Sequence, residues 1–466
     1  MSEPKSSIVD LTSALAWLAA FTDYEQKNAD QLRAVTFELG RMQALCEGLG
    51  HPERRAGYVH VAGSKGKGST VFFTEALLRA AGNRTGRFLS PHLETVTERI
   101  AIDGRSVTGA EFAALTRALG PYVEACRHSS PDRLPSFFEC LTAMAFLAFA
   151  DPAIDYCVLE VGLGGRLDAT NVVKPDVTLI TSIDLEHTRV LGSTRTAIAR
   201  EKAGIIKPGI PVVVGFSRDS EEGQAVDAIV CERGAPAWWL GEEVRVESVR
   251  FEPDGTHFDL FVDDLEFKDL VIAAAGPRQP DNAALAVAAL HHLGRRRLLP
   301  WNDDVMRHAL ATLQLPARLE LIPPHGARRA TIILDCAHTP ASMAALAGML
   351  GRQDLPCLPD LLLGMLRDKD VDACLAPLAS RMNRVYVTAP DSPRALDPSN
   401  LRTAVERIMK PAAGIALIEA SEMSAFLDQR LASEHPLVVA GSVYLAGTVR
   451  RHLRNRRGSV DDPWTP

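Results

Sequence analysis

The sequence predicts an α/β protein of two domains, residues 1–315 and residues 316–466. Three observations support this fold class. The 466 residues are too many for one ordinary core. Short apolar strands alternate with helical patterns almost throughout the chain. The segment Thr312–Pro324 is punctuated by prolines, which indicates a boundary between two such series.

The predicted strands of the first domain are continuously apolar rather than alternating. Such strands are buried on both faces, which indicates a mainly parallel sheet covered by helices. The strands are Tyr58–Ala62, Tyr156–Val161, Val177–Ile183 and Pro211–Phe216. Between about residues 242 and 272, the runs Val249–Phe251 and His257–Val262 flank a turn signal. This pattern predicts a small antiparallel hairpin region.

A second α/β series begins near Ala330, and its order predicts a C-terminal Rossmann-like domain. Its predicted strands are Thr331–Leu334, Leu361–Gly364, Arg384–Thr388, Ile415–Ile418 and Leu437–Ala440. In open parallel sheets, ligands bind beyond the carboxyl ends of the strands. We therefore expect sites at those ends and in the cleft between the domains.

Composition excludes several classes of protein. Lys and Arg total 51 against 58 Asp and Glu, a formal charge of −7, which is unsuited to general nucleic-acid binding. The 8 cysteines form no CxxC pair and predict reduced thiols. The apolar stretch Leu11–Phe21, followed by Asp23 and Glu25, predicts an amphipathic helix rather than a signal peptide. With no run long enough to span a membrane, we expect a cytoplasmic protein.

The strongest local motif is the glycine-rich turn Gly63–Thr70, which follows a strand and opens a helix. This arrangement directs backbone N–H groups and the positive helix end towards phosphate. Lys67 is positioned to reach the β- and γ-phosphates, and Ser69 or Thr70 to support a metal. The candidate nucleotide-binding residues are Gly63, Gly66, Lys67, Gly68 and Ser69. The alternative is a flexible surface loop, because Val61 occupies the first glycine position of the common motif.

Two further strands end in polar residues. Glu160 ends a buried strand, where a carboxylate is costly unless it binds a cation or accepts hydrogen bonds. Either a magnesium ligand or a solvated strand-end carboxylate fits this position. His187 follows the next strand, and a single histidine there is more often structural than a ligand.

Taken in order, these motifs resemble the folylpolyglutamate synthase/dihydrofolate synthase branch of the amide ligases that include the murein ligases. The resemblance runs nearly end to end. The matching segments and residues are Phe37–Gly40, Gly63–Thr70, Ser90–Leu93, Glu98–Ile100, Phe137–Glu139, Glu160–Asn171, His187, Glu201–Ile205, Gln279, Asn282, Arg318, Glu320, Asp335–Pro340, Asp368–Asp370 and Gly441–Leu445.

The resemblance implies ATP and Mg²⁺ as cofactors, with two metal sites. Ser90, Glu160 and His187 match the family's magnesium ligands. Lys202 matches a lysine that the family carries as a carbamate, which would hold the second metal near the γ-phosphate. Without the resemblance, Lys202 would be interpreted as a solvated surface lysine.

The resemblance also implies the remaining site residues. Asn282, Arg318 and Asp335 match residues that hold ATP where the two domains meet, and His338 faces the same cleft. The segments resembling the pterin-side pocket contribute Glu38, Leu39, Gly40, Asp168 and Ala169. The implied substrates are L-glutamate and either dihydropteroate or a reduced folate, and a monomer is expected.

Six positions depart from the family pattern. Glu38 and Glu186 stand where aspartate is usual, and Ser64-Lys65 replaces Thr-Asn. Cys336 and Thr339 replace the usual glycine and asparagine. No departure removes a charge or ligand that the reaction needs, but they leave the substrate open.

The implied reaction is ATP-dependent ligation of glutamate to a pteroate or folate carboxylate through an acyl phosphate. Dihydrofolate synthase and folylpolyglutamate synthase activity would share one reaction centre. One alternative is a murein-type ligase, although residues 1–57 are too few for a nucleotide-sugar domain. The other is a P-loop protein that binds nucleotide without ligating.

Overall fold

A computed structural model of the chain describes residues 8–25, 38–129, 134–252, 254–295, 302–324, 328–352 and 355–456. These residues divide into two compact units. The first lies within Met1–Ala273 and Arg278–Leu313, and the second within Ala274–Pro277 and Gln314–Thr465. Each unit contains a mainly parallel sheet. The predicted two-domain α/β fold class is confirmed.

The described elements have the following bounds. The helices are α1 (Leu11–Leu18), α2 (Gly40–Gly48), α3 (Lys67–Ala80), α4 (Gly109–Ser129), α5 (Phe137–Phe149), α6 (Thr188–Leu191), α7 (Arg195–Ala203), α8 (Glu221–Arg233), α9 (Gln279–Arg295), α10 (Asp303–Thr312), α11 (Pro340–Leu350), α12 (Val371–Leu375), α13 (Pro398–Ile408), α14 (Met423–Leu431) and α15 (Val443–Asn455). The strands are β1 (Gly57–Ala62), β2 (Thr85–Phe88), β3 (Ile100–Ile102), β4 (Arg105–Ser106), β5 (Tyr156–Glu160), β6 (Val177–Ile180), β7 (Val212–Val214), β8 (Ala237–Trp239), β9 (Val244–Glu252), β10 (Gly255–Val262), β11 (Leu265–Ile272), β12 (Glu320–Ile322), β13 (Ile332–Leu334), β14 (Asp360–Leu363), β15 (Val385–Val387), β16 (Ile415–Leu417) and β17 (Leu437–Ala440).

The large sheet of the first unit has the order β4-β3-β2-β5-β1-β6-β7-β8. Its strands from β2 to β8 are parallel, and β3 and β4 extend one edge in antiparallel fashion. The central strand β1 is buried at every position after Gly57, as the continuously apolar sequence predicts. Buried side chains of α1, α4 and α5 form one core cluster with this sheet.

The second unit has the strand order β12-β13-β17-β14-β15-β16. All of its neighbouring strands are parallel except β12 and β13, which pair antiparallel. Helices α11, α12 and α13 cover one face and α14 and α15 the other, with a separate apolar cluster on each face. This arrangement is the predicted Rossmann-like domain.

Several local predictions needed revision. The predicted strand Val177–Ile183 ends at Ile180, because Oγ1 of Thr181 and Oγ of Ser182 donate to the Lys65 carbonyl at 2.6 and 3.0 Å. The predicted hairpin is a three-stranded sheet, since β11 adds to β9 and β10. The segment Thr312–Pro324, predicted as a boundary, also contains β12, whose short sequence carries no strand signal.

The amphipathic first helix is α1, whose Asp10 and Ser13 form a reciprocal cap. None of the described helices combines the length and apolarity needed to cross a bilayer.

Candidate active site

Four adjacent parallel strands bring the first unit's candidate residues to one edge of its sheet. In the order β2-β5-β1-β6, the turns beyond the carboxyl ends carry Ser90, Glu160, the phosphate loop and His187. Because β5 pairs with β1 so that Glu160 lies opposite Val61, the carboxylate sits directly beside the start of the phosphate loop. This edge is where parallel sheets bind ligands.

The phosphate loop, residues 63–69, connects β1 to α3. Gly63 and Gly66 have φ angles of 149° and 88°, which β-carbon-bearing residues rarely adopt. No side chain caps the N-terminus of α3, so its first backbone N–H groups point into the loop without a side-chain acceptor. Such a helix end attracts anions.

Asn282 of α9 packs against the phosphate loop. A Cβ atom at Gly66 would lie 2.4 Å from Oδ1 of Asn282, well inside van der Waals contact. The same oxygen accepts from Oγ1 of Thr70 at 3.5 Å, and Nδ2 of Asn282 donates to Gln279 at 3.1 Å. Asn282 therefore supports the loop from within the first unit.

Replacing Gly66 with alanine is expected to raise the KM for ATP by roughly tenfold or more, equivalent to about 1.4 kcal/mol. The added methyl group must displace Asn282 or the loop. Gly82→Ala is the matched control, because Gly82 has a φ of 85° but nothing within 4 Å of an added Cβ. Steady-state kinetics and thermal unfolding of both variants separate backbone strain from the clash. Equal ATP KM values in the two variants would contradict this prediction.

Glu160 is directed towards the phosphate loop. Only 5% of the residue is exposed, and its Oε2 accepts from the backbone N–H of Ser90 at 3.1 Å. A Cβ at Gly68 would lie 3.7 Å from the same oxygen. The structure thus brings together Ser90, Glu160 and the beginning of α3.

His187 opens the short helix α6 and is exposed, with a φ of 45°. Its position after β6 places it on the same edge of the sheet. Its place in one ligand set with Ser90 and Glu160 stays a prediction.

Two lysines converge on the carbonyl oxygen of Gly63. Nζ of Lys67 donates to it at 3.0 Å and Nζ of Lys202 at 2.9 Å. Lys202 is only 2% exposed and also donates to Oε1 of Glu186 at 2.8 Å. The interpretation of Lys202 as a solvated lysine is wrong, since α7 buries it beneath the phosphate loop.

Burial and the nearby positive charges shift the pKa values of Lys202 and Glu186. Desolvation and the charge of Lys67 lower the pKa of Lys202 to about 8, against the attraction of Glu186. Burial alone would raise the pKa of Glu186, but Lys67 and Lys202 outweigh it and lower that pKa to about 2. The lowered pKa increases the minor fraction of Lys202 that is neutral near physiological pH, and the neutral amine is the nucleophilic form.

The loop from Gly162 to Asn171 follows β5 and contains Asp168 and Ala169. Desolvation raises the pKa of the buried Asp168, whose carboxylate accepts from the backbone N–H groups of Leu163 at 2.8 Å and Thr170 at 3.0 Å. Asp168 thereby caps the 3₁₀ turn Ala169–Val172. A structural task for Asp168 is shown, and its predicted contact with substrate stays a prediction.

Glu38, Leu39 and Gly40 lie at the start of α2. Glu38 is exposed and pairs with Arg41 at 3.4 Å, and Arg41 also contacts the buried Glu139 at 3.2 Å. The described contacts link this segment to α5 through Arg41, and none that is described joins it to Asp168.

The second unit holds its candidate residues in a constrained turn. Ala317 and Leu319, on either side of the exposed Arg318, have φ angles of 50° and 51°. Oε2 of Glu320 accepts from the Ala317 N–H at 2.6 Å, and Oδ2 of Asp335 accepts from the Leu319 N–H at 2.7 Å. Hydrogen bonds to the two carboxylates therefore hold this turn in a strained backbone conformation. Such strain is common at functional sites.

His338 follows β13, and Arg318 contacts Sγ of Cys336. Nδ1 of His338 lies 2.7 Å from the carbonyl oxygen of Cys336. Since a carbonyl only accepts, Nδ1 of His338 carries a hydrogen and donates to Cys336.

Sequence reasoning named two residues that organise these sites without assigning either of them a role. Glu186 was noted only as a departure from aspartate, yet it is the partner of Lys202. Glu320 anchors the Arg318 turn and is itself contacted by Arg450 of α15 at 3.1 Å. The available signal was the neighbouring residue, since Glu186 directly precedes the predicted ligand His187 and Glu320 follows Arg318 by two residues.

The chain matches two domain families along its length. Residues 61–290 match the Mur ligase middle domain, and residues 317–443 match the Mur ligase glutamate ligase domain. Together with the phosphate loop and the two parallel sheets, these matches define an ATP-dependent ligase that forms amide bonds.

Individual relatives narrow the class. A dihydrofolate synthase/folylpolyglutamate synthase of Bacillus subtilis is 33% identical over 417 residues, covering 89% of this chain and 95% of the relative. The enzyme of the same name from Mycobacterium tuberculosis is 34% identical over 449 residues, covering 88% and 89%. The chain belongs to the folylpolyglutamate synthase/dihydrofolate synthase family, whose members are ATP-dependent glutamate ligases.

Solved structures agree. The M. tuberculosis folylpolyglutamate synthase complexed with ADP has a TM-score of 0.82 and 32% identity, covering 96% of this chain and 99% of that one. An Escherichia coli relative in complex with DHPP and ADP has a TM-score of 0.79 and 28% identity, covering 98% and 100%. The small-molecule nature of the substrates follows from these complexes.

Proposed function

We propose that this chain ligates L-glutamate to the carboxylate of dihydropteroate, of a reduced folate, or of both. ATP activates that carboxylate as an acyl phosphate, and ADP and phosphate are released. The observation that carries the proposal is the single sheet edge at which Ser90, Glu160, the phosphate loop and the Lys67–Lys202 pair meet. Family membership supplies the substrate class.

The phosphate loop is assigned to the triphosphate of ATP. Its residues fit this ligand, because the uncapped α3 N-terminus offers backbone donors and the glycines leave space that a Cβ would fill. Gly63, Gly66, Lys67, Gly68 and Ser69 would contact the phosphates. Asn282 holds the loop from the first unit, and Arg318 and Asp335 are assigned to the nucleotide from the second.

Ser90, Glu160 and His187 are assigned to Mg²⁺. The Ser90 hydroxyl and the Glu160 carboxylate are hard oxygen donors of the kind this ion prefers. The hydrogen bond from the Ser90 backbone N–H to Glu160 keeps the two residues adjacent, which supports this assignment. Bound Mg²⁺ would neutralise charge on the phosphoryl oxygens. Glu160 and Ser90 orient the phosphates for transfer by fixing that charge beside α3.

Lys202 is proposed to be carbamylated and to complete a second metal site. Its neutral amine can attack CO₂, forming an N–C bond and releasing one proton. The present arrangement sets two ammonium groups on one carbonyl oxygen, and a carbamate would replace their repulsion with attraction between Lys202 and Lys67. Glu186 then lies beside a second carboxylate, a pairing that divalent cations bind.

The acceptor is proposed to lie against Glu38, Leu39, Gly40, Asp168 and Ala169. The carboxylate to be activated must reach the γ-phosphate, so the pterin end extends away from the phosphate loop. In the second step the amino group of glutamate attacks the acyl phosphate, and its proton requires an acceptor. Nε2 of His338 is the proposed acceptor, because Nδ1 is engaged by Cys336.

Phosphate release from ATP tests this function. With Mg²⁺ and L-glutamate, release is expected to rise at least about tenfold when dihydropteroate or tetrahydrofolate is added. Product masses should increase by one glutamyl unit. Stimulation by dihydropteroate alone identifies a dihydrofolate synthase, and stimulation by both identifies a bifunctional enzyme. Release that neither acceptor stimulates would contradict the folate assignment.

A further inference from the structure

A buried chain of hydrogen bonds joins the middle of β1 to the loop between Gly162 and Asn171. Nε2 of His60 lies 2.9 Å from Oγ1 of Thr170, and that hydroxyl donates to Oδ1 of Asp168 at 2.5 Å. His60 and Thr170 have no exposed surface, and Asp168 is 6% exposed. The chain begins three residues before Gly63, where β1 leads into the phosphate loop.

The hydrogen bonds that link His60, Thr170 and Asp168 all run in one direction. Burial lowers the pKa of His60 to about 3, so the ring is neutral and carries a single N–H. Thr170 uses its only hydroxyl hydrogen on Asp168, so it must accept from Nε2 of His60. Nδ1 of His60 has no hydrogen-bond partner within the described part of the chain, which agrees with a hydrogen on Nε2. The His60 ring N–H therefore donates to Thr170, and the Thr170 hydroxyl donates to Asp168.

Asp168 gathers the loop around this chain. Its two oxygens accept from the N–H groups of Leu163 and Thr170, near opposite ends of the loop. The loop is also fixed to the end of α7, the helix that carries Lys202. The N–H of Arg166 donates to the Glu201 carbonyl at 2.8 Å, and Nδ2 of Asn171 donates to the Gly204 carbonyl at 3.2 Å.

We propose that His60 and Thr170 are positioning residues that hold the Asp168–Ala169 edge in place relative to the phosphate loop. The inference rests on the proposed function, in which this edge lines the acceptor pocket. His60 and Thr170 act through Asp168 and touch neither substrate. A small displacement of a positioning group has large kinetic effects. Losing these hydrogen bonds should therefore raise the KM for the pteroate or folate substrate, while ATP binding is retained.

Thr170→Val and Thr170→Ser form the decisive pair. Valine replaces the hydroxyl with a methyl group of similar size, whereas serine keeps the hydroxyl. Thr170→Val is expected to raise the acceptor KM by roughly tenfold, the scale typical of lost supporting hydrogen bonds, with the ATP KM within about twofold of wild type. Thr170→Ser is expected to stay within about twofold for both substrates.

His60 provides an independent pair. Glutamine places an amide N–H near the position of Nε2, and leucine removes the donor. His60→Leu is expected to match Thr170→Val, His60→Gln to retain most function, and the His60→Leu/Thr170→Val double variant to be no worse in acceptor KM than either single variant. Such non-additivity identifies one chain rather than two separate packing defects.

Amide hydrogen exchange measures the order of the loop between Gly162 and Asn171 without a pteroate or folate substrate. Faster exchange of the backbone amides at positions 163 and 170 is expected in Thr170→Val but not in Thr170→Ser. Unchanged exchange in Thr170→Val, or equal rises in the ATP and acceptor KM values, would overturn the inference. Failure of the wild-type protein to use any folate acceptor would instead overturn the proposed function, and the exchange measurement would still decide the positioning role.

Discussion

Lys67→Ala is expected to lower acceptor-dependent phosphate release by about 10²–10³-fold, the scale for losing one charged group that stabilises a transition state. Lys67 is the first residue of α3, and its Nζ donates to the Gly63 carbonyl oxygen at 3.0 Å. If the loop binds a nucleotide as proposed, this charge would face its β- and γ-phosphates. Because phosphoryl transfer is mainly a matter of charge and alignment, the loss should fall largely on kcat.

Lys174→Ala is the matched control, since Lys174 is an exposed lysine of the same unit. It removes the same charge and is expected to leave kcat within about twofold, as surface substitutions generally do. Rates would be measured by coupled phosphate release at saturating substrates, with thermal unfolding to confirm folding. A Lys67→Ala enzyme with a normal kcat would exclude the phosphate loop as the reaction centre.

Lys202→Ala is expected to lower kcat by at least about 10²-fold, the upper range for groups that support a metal site. The reason is chemical as well as electrostatic. If Lys202 acts as a carbamate, the needed group is a buried anion beside Lys67 and Glu186, and alanine leaves a space there. Lys202→Arg keeps a positive charge and cannot form this anion, so it should be equally impaired.

Chemical rescue distinguishes an anion from an amine at this position. Acetate or formate added to Lys202→Ala should restore part of the activity by placing a carboxylate in the vacated space, and methylammonium should not. Methylammonium rescue, or activity in Lys202→Arg close to wild type, would show that the amine itself is needed.

The pKa of Lys202 sets the expected pH dependence of carbamylation. Carbamate formation requires the neutral amine, whose fraction rises with pH through the lowered pKa of about 8 rather than the ordinary 10.5. At pH 7 about one amine in ten is neutral, compared with about one in 3,000 at the ordinary value. Protein freed of CO₂ should therefore recover activity on addition of bicarbonate, and recover more fully at pH 8 than at pH 6.5.

The sequence predicted the fold class because its signals are local. Continuously apolar runs bury both faces of a strand, so β1, β5, β6 and β17 could be located from hydrophobicity alone. Likewise, the strand–glycine turn–helix order of the phosphate loop identified an anion site before any contact was known. The strands β2 and β12 were not predicted, because their sequences (Thr85–Phe88 and Glu320–Ile322) include polar residues and form no continuous apolar run.

The contacts between residues far apart in the sequence could not be predicted, because they depend on which distant segments the fold brings together. The order β2-β5-β1-β6 sets Ser90, separated from Glu160 by 70 residues, against its carboxylate. The burial of Lys202 under the Gly63 carbonyl is equally invisible in a helix of mixed charge.

The sequence by itself therefore determined two α/β units, the phosphate loop and the residue types at the strand ends, all encoded within a few neighbouring residues. Only the tertiary structure decided that Lys67 and Lys202 share one carbonyl, that Glu186 completes the pair, and that His60 reaches Asp168 through Thr170. Those contacts depend on burial and desolvation, and both exist only after the sheet and helices have packed.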